Sequence, residues 1–485
     1  MSSAERPSLV WFRLDLRLAD HPALAAAAAG GTVIPVFVWS PEEEAPWAPG
    51  AASRWWLHHS LERLDASLRE RGSRLVVRHG PALGTLRELV RETGATRAFW
   101  NRRYEPALVA RDTVIKEALK ADGLAVETFN SALLHEPWTI RNQAGKPFQV
   151  FTPYWRSCLT NPDPPEPTPA PATLHRPARW PRSLPVAELG LLPSIPWDTG
   201  LREAWRPGES GAAQQLDRFA AAPVFSYGEE RNRPDRVGTS RLSPHLHFGE
   251  IGPRQIWHAV RQAAARSRVP VATWRNGQFL AEIGWREFAH HLLFHFPETP
   301  TRPLRADFER FPWRSDAKAL EAWQRGRTGI PLVDAGMREL WATGWMHNRV
   351  RMVVGSFLVK NLLLSWREGA AWFWDTLVDA DLASNTLGWQ WVAGCGADAA
   401  PYFRVFNPIS QGQKFDPDGG YVRQWVPELG RLPAAHIHAP AEAPPLVLRE
   451  AGVTLGGNYP HPIVSLSASR IAALAAFSRI KTGGL

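Results

Sequence analysis

Short apolar runs rich in β-formers alternate with helical patterns over the first quarter of the chain. Leu9 to Phe12 and Val33 to Trp39 are strand-length runs, and HPALAAAAAG between them is patterned as a helix. Arg74 to Val77 and Ala98 to Trp100 continue the alternation. The pattern predicts a βαβ series with a parallel, doubly wound, Rossmann-like sheet over residues 7–132. No G-x-G-x-x-G opens a helix there, so the usual dinucleotide fingerprint is missing. From Asn161 to Pro196 proline dominates, as in NPDPPEPTPAPATLHRPARWPRSLP, and residues 133–200 are expected to form an interdomain connector. Beyond Gly200 the chain turns to amphipathic helical patterns: Ser210 to Ala221, Pro253 to Arg266, Trp274 to Phe296, Ala317 to Arg325, Pro331 to Thr343, Met346 to Trp366 and Ala370 to Val378. Residues 201–480 therefore read as a large all-helical domain. The fold class is an α/β N-terminal domain followed by a helical C-terminal one.

Composition sharpens this reading. A chain of 485 residues exceeds one ordinary core, and 44% hydrophobic content with 24 Trp excludes a disordered chain. Lysines and arginines number 56 against 47 acidic residues, a net +9, which suits a polyanionic partner as well as a merely soluble basic surface. Two cysteines, Cys158 and Cys395, give neither a disulfide framework nor a metal-ligand pattern, so no metal and a reducing cytoplasm are expected. The N-terminus lacks a signal-peptide layout and no apolar run is long enough for a bilayer, so a soluble, untargeted chain is expected; a monomer is a separate expectation.

Candidate chemistry concentrates in Asp379 to Pro408, DADLASNTLGWQWVAGCGADAAPYFRVFNP. Asp379 and Asp381 can accept hydrogen bonds from ring N–H groups or sugar hydroxyls, Asn385 carries both a donor and an acceptor, and Gly388, Ala393, Gly394 and Gly396 let backbone approach a flat ligand. On a helix Trp389 and Trp391 point about 200° apart and serve different surfaces. Taken singly, each residue equally suits a buried aromatic helix with aspartate caps. Upstream, Gly238-Thr239-Ser240-Arg241-Leu242-Ser243 offers consecutive N–H groups and hydroxyls before a helical stretch, as a pyrophosphate requires, although such strings are usually caps and turns. Gln278, Glu282 and Trp285 share one helical face at i, i+4 and i+7. Trp345, Asn348 and Met352 line another stripe, in which Asn348 would be a costly buried amide unless satisfied.

These strings resemble the photolyase/cryptochrome family. The C-terminal stretch is similar to its DxDLAxNxxGWQW and G-x-DAAPYFRxFNP signature, and Val10 to Asp20 resembles its opening VWFRxDLRLxD. Residues 278–288 are similar to its ELxWREF element, and residues 345–352 match WMHNRxRM, with Asn348 as in cyclobutane-dimer photolyases; by this criterion the chain most resembles the class I branch. The resemblance implies FAD held by Tyr227, Thr239, Ser240, Arg241, Leu242, Ser243, Gln278, Phe279, Arg351, Asp379, Ala380, Asp381 and Asn385, with Arg351 paired to Asp379. It implies a lesion pocket of Glu282, Asn348, Trp285, Trp391 and Met352, an electron path of Trp313, Trp366 and Trp389, and contacts to UV-damaged DNA from Arg286, Arg349, Arg404 and Lys414. An antenna chromophore, whether a deazaflavin, a folate or a flavin, is a further expectation for the N-terminal domain. The implied function is light-driven repair of cis-syn cyclobutane pyrimidine dimers. The competing expectations are a cryptochrome-type photoreceptor, which the short tail, Glu282 and Asn348 argue against, and a flavoprotein module without photochemistry.

Overall fold

The computed structural model describes residues 7–221, 223–399 and 403–482. Ala400, Pro401 and Tyr402 of the APYFR string lie outside them. The N-terminal sheet contains β1 (Ser8–Phe12), β2 (Val33–Trp39), β3 (Val76–His79), β4 (Arg97–Asn101) and β5 (Ala125–Phe129), all parallel, in the order β3-β2-β1-β4-β5. Helices α1 (Pro22–Ala29), α2 (Ala51–Arg69), α3 (Ala82–Thr93) and α4 (Pro106–Ala121) connect them. Successive side chains of a strand point to opposite faces. Val10, Phe12, Val33 and Phe37 accordingly join one core cluster, and Leu9, Trp11, Ile34 and Val36 join another. Both faces are covered, which explains why the strands read as continuous apolar runs. β5 is an edge strand with exposed Ala125 and Glu127, so it left little hydrophobic signal.

The connector is a pinned strap. Its backbone bonds to the α/β domain at Asp20 N–H to Thr168 O (2.7 Å), Val33 N–H to His175 O (2.9 Å), Leu174 N–H to Arg71 O (3.0 Å) and Leu184 N–H to Val77 O (2.9 Å). Ahead of the strap, α5 (Phe151–Leu159) buries Phe151, Tyr154, Trp155 and Cys158 in a core cluster of the helical half. Gly284 permits this approach, because a Cβ there would meet the Trp155 ring at 2.6 Å.

In the helical domain, Pro253–Arg266 and Pro331–Thr343 begin at prolines whose missing N–H costs nothing at a helix start, and Gly344 at φ 66° closes the second. Two expected helices are interrupted. The Trp274 to Phe296 pattern divides into Val271–Arg275 and Gln278–His295, with extended Gly277 between them. Met346 to Trp366 becomes Asn348–Ser356, a π-turn at Phe357–Asn361 and a new helix, Trp366–Thr376. An apolar sequence periodicity carries no mark of the extra residue in a π-turn. The domains interlock through Trp56 Nε1–H to Glu250 (2.9 Å), Arg17 to the Gly249 carbonyl (2.8 Å) and Leu18 N–H to Glu209 (2.9 Å). No helix among the described residues is long and apolar enough to cross a membrane.

Candidate functional site

Asp379 anchors the site just before the helix Leu382–Ala393. Its carboxylate accepts from Arg351 Nη2 (2.8 Å) and from the Ser243 hydroxyl (2.6 Å), and Trp345 Nε1–H donates to Ser243 Oγ at 3.3 Å. Asp381 is the helix N-cap and accepts the Ser384 N–H at 2.7 Å. Burial alone would raise the Asp381 pKa, but His290, Arg286 and His247 hold it well below the usual carboxylate range. The loop before Ser243 turns at Arg241, a left-handed residue at φ 50°. Leu242 is buried, the Ser240 carbonyl accepts Gln215 Nε2–H (2.9 Å), and Thr239 stands beside them half-buried. The Arg241 guanidinium lies 4.3 Å from the Trp205 ring and 5.2 Å from the Trp345 ring. Its Nε is buried with no hydrogen-bond partner, as is Nε2 of His347. A buried cationic donor left unpaired is costly, and an anionic ligand group would satisfy it. Hydroxyls, an unpaired Arg241 Nε–H and a carboxylate paired to Arg351 thus fit a dinucleotide carrying a polar ring system. Asn385 donates to the Ala370 carbonyl at 3.1 Å, and Phe279 packs with Phe219 and Tyr227 at ring separations of 4.5 and 5.4 Å. Burial, reinforced by Glu282, raises the Tyr227 phenol and keeps it a neutral donor. Two of the glycines expected to admit a ligand do other work: Gly394 ends the helix at φ 87°, and Gly396 packs on Gln390.

Beside this node is a half-open rim. Glu282 pairs with Arg231 (2.5 Å) and accepts from Gln278 Nε2 (2.8 Å). Trp285 stacks on Phe151 at 3.9 Å and 11°, which covers one face of the indole and fixes its plane. Asn348 is solvent-exposed at the first position of its helix, so the expected buried amide is not present. Trp345 precedes that helix rather than sharing its stripe, because His347 caps the N-terminus by accepting the Arg349 N–H at 3.2 Å. Burial, then Arg349 and Arg351, pull His347 down to about 4, so the ring stays neutral. Arg349 contacts Met352 Sδ (3.7 Å) and lies over the Phe415 ring (4.5 Å). Trp391 is half-buried, and Arg404 and Lys414 are exposed. Arg286, expected to contact DNA, is half-buried. Its Nη1 donates to the Ala132 carbonyl at 2.6 Å and it lines a cavity at the domain junction, since one residue beyond Trp285 the helix has turned by about 100°.

The tryptophans of the proposed electron path are enclosed to different degrees. Trp389 is buried against Phe373 (5.0 Å) and Trp323 (6.2 Å). Gly369 makes room for it, because a Cβ there would fall 2.1 Å from its Cη2. Trp366, three residues earlier on the Gly369 helix, is buried as well. Trp313 is half-exposed, and the adjoining Arg314 N–H donates to the Leu363 carbonyl at 2.8 Å, which ties its segment to the stretch before Trp366. Arg231, Phe151 and Trp323 were not anticipated. They belong to no local motif, and only the arginine-rich string ERNRPDR hinted at the first.

At the carboxyl ends of the strands, beside the β1/β4 switch point, lie two cavities. One is lined by Arg13, Asn101, Arg103, His247 and Asp381, and the other by Trp11, Trp39, Arg111, Trp374 and the buried Ala380.

Comparisons with known proteins agree along the whole chain. A family described as DNA photolyase matches residues 8–172, and the FAD binding domain of DNA photolyase matches residues 279–479. A deoxyribodipyrimidine photo-lyase of Agrobacterium fabrum is 49% identical over 99% of this chain and 99% of its own. Cryptochrome-1 of Arabidopsis thaliana is 44% identical over 96% of this chain and 69% of its own. The crystal structure of a bacterial class III photolyase from Agrobacterium tumefaciens superposes with a TM-score of 0.95 at 48% identity, covering 99% of both chains. Likeness to a class III structure lends no support to the class I branch expected from Asn348.

Proposed function

The chain belongs to the photolyase/cryptochrome family, and from that premise we propose that it is a deoxyribodipyrimidine photo-lyase that uses light to split cis-syn cyclobutane pyrimidine dimers in DNA. The observation that carries the reading is the joining of two arrangements: a polar, half-open rim of Glu282, Trp285, Asn348 and Met352 beside the Asp379–Arg351–Ser243 node. FAD, when bound, supplies one electron from its reduced excited state and takes it back after the ring bonds break.

The chain's own residues do the rest. Arg349, Arg404 and Lys414 would hold backbone phosphate, a salt-sensitive contribution. Enzymes whose target atoms lie inside a duplex, photolyases among them, extrude the target at a cost of about a few kcal/mol, least at a damaged pair. Trp285, backed by Phe151, and Trp391 would flank the extruded dimer. Glu282, oriented by Arg231, and Asn348 would hydrogen-bond its carbonyls. Arg351 and Asp379, with Ser243, Thr239 and Arg241, would hold the cofactor, and Asn385 would favour its reduced form. Trp389, Trp366 and Trp313 would restore that form from the surface inward. The cavity lined by Trp11, Trp39 and Arg111 is where an antenna ring system would sit. Two free, buried cysteines accord with a reducing cytoplasm, and the chain is read as a monomer.

The test is recovery of intact pyrimidines from an oligonucleotide containing one thymine dimer, with the photoreduced protein, under blue light and in the dark. Light-dependent recovery that falls sharply in Glu282→Ala and Asn348→Ala is expected. Recovery unchanged in both variants would refute the assignment of the pocket. The 44% identity to Arabidopsis Cryptochrome-1 favours one other reading, a photoreceptor that signals through a protein partner. Bound, reduced flavin without any recovery would favour that reading.

A further inference from the structure

We propose that His58, His59 and Glu62, at the solvent edge of α2, form a binding site for a zinc-class divalent cation with an open fourth position. The cysteine count, which argued against a metal, carries no information about this histidine–carboxylate set. One ligand atom from each of the three side chains lies within 4.8 Å of the others, the sole such group among the described residues. The spacing is a property of the helix, because Glu62 follows His58 by four positions and His59 by three, and residues three and four apart meet on one surface.

Both imidazoles face the one carboxylate, at the long end of hydrogen-bond range. His58 Nε2 approaches Glu62 Oε1 at 3.3 Å, and His59 Nδ1 approaches Oε2 at 3.4 Å. A strong charge-assisted contact would close to about 2.7–2.9 Å. Ligands about 2.0–2.1 Å from a tetrahedral zinc stand about 3.4 Å apart, so turning one oxygen of the exposed Glu62 carboxylate toward both rings would complete the set. Two imidazoles and a carboxylate are also a donor set that zinc accepts where it keeps an exchangeable position.

Nothing else in the fold claims the pair. Nδ1 of His58 and Nε2 of His59 are buried without a hydrogen-bond partner, and the other nitrogen of each ring faces Glu62. His59 lies edge-on to Trp55 at 4.8 Å and to His58 at 5.1 Å. The nearby cation, Arg202, is committed to Asp198 at 2.7 Å. Glu62 is exposed, which leaves a path for the ion from solvent. The site sits on the helix whose other residues reach across the domain junction, so the ion would stiffen α2 at that boundary.

The experiment is titration calorimetry of metal-stripped, FAD-loaded protein with zinc chloride, repeated with Glu62→Gln and His59→Ala, both changes at side chains with solvent access. One bound equivalent is expected in the parent, weakened at least about tenfold in each variant, with circular dichroism and FAD content unchanged. A parent that binds no zinc at about 100 μM, or a variant that keeps the parent affinity, overturns the proposal. Cobalt(II) added in place of zinc should show the visible bands of tetrahedral coordination in the parent and lose them in the variants.

Discussion

The same residue type serves two opposite environments in this molecule. Trp389 and Trp366 are sealed in the largest core cluster, and even the glycine beside Trp389 is there to let the ring approach. Trp285 and Trp391 are half-buried at the rim, and Trp285 is backed on one face only, by Phe151. Trp389 and Trp391 share one helix and are two residues apart, so helical geometry alone sends one inward and the other toward the opening. The lesson is that an indole's task is set by which of its faces the fold leaves bare. A sealed ring keeps a fixed distance to its neighbours and excludes water, whereas a bare face keeps about 1–3 kcal/mol of stacking for an incoming base.

The division can be broken first at its buried side. Trp389→Phe, which leaves a ring that is much harder to oxidise, should abolish photoreduction of oxidised FAD followed by flavin absorbance. Repair by chemically reduced protein should stay within about twofold, since distant sites act independently. Loss of both activities would mean that the tract and the rim are one unit. Next, Trp285→Ala should weaken binding of dimer-containing oligonucleotide by roughly 5- to 150-fold, the affinity equivalent of one stacked base, while photoreduction is unchanged. Filter binding and flavin absorbance would separate the two effects.

A smaller effect sharpens the comparison from behind the rim. Glu339 accepts from the Tyr421 hydroxyl (2.6 Å) and the His347 N–H (3.2 Å), and burial, opposed by these bonds, pushes it up to about 7. The folded state therefore binds this proton more tightly than the unfolded chain, in which an ordinary glutamate titrates near pH 4.3. Its contribution is complete below that value and is lost as pH rises through about 7. Glu339→Gln, which keeps an acceptor, should flatten the decline in urea-unfolding stability between pH 4.5 and 7.5 by on the order of 2 kcal/mol. An unaltered slope would mean that Glu339 is ionised in the fold.

Sequence pattern carried the sheet and most helices because each depends on local signals: continuous apolar runs, prolines at helix starts such as Pro253 and Pro331, and glycine stops such as Gly344. It missed the break at Gly277 and the π-turn at 357–361, where apolar residues run on through the irregularity. Motif resemblance supplied Asp379, Arg351 and Ser243 together, though they lie far apart in the chain, and the structure joins them by hydrogen bonds. It did not supply the bond from Arg286 to the Ala132 carbonyl, because a motif records a residue type without the direction in which the helix points it. Arg231 and Phe151 escaped notice because each acts by contact with a residue more than 50 positions away.

The strap has a consequence for the integrity of the particle. Its main chain is stitched at Thr168, Leu174, His175 and Leu184 to the α/β domain, and α5 ahead of it is locked into the helical core. A single nick in the proline-rich run would therefore sever the polypeptide without parting the two halves. The covalent thread between the domains is dispensable once folding is complete, so a chain cut there after folding would persist as one non-covalent particle.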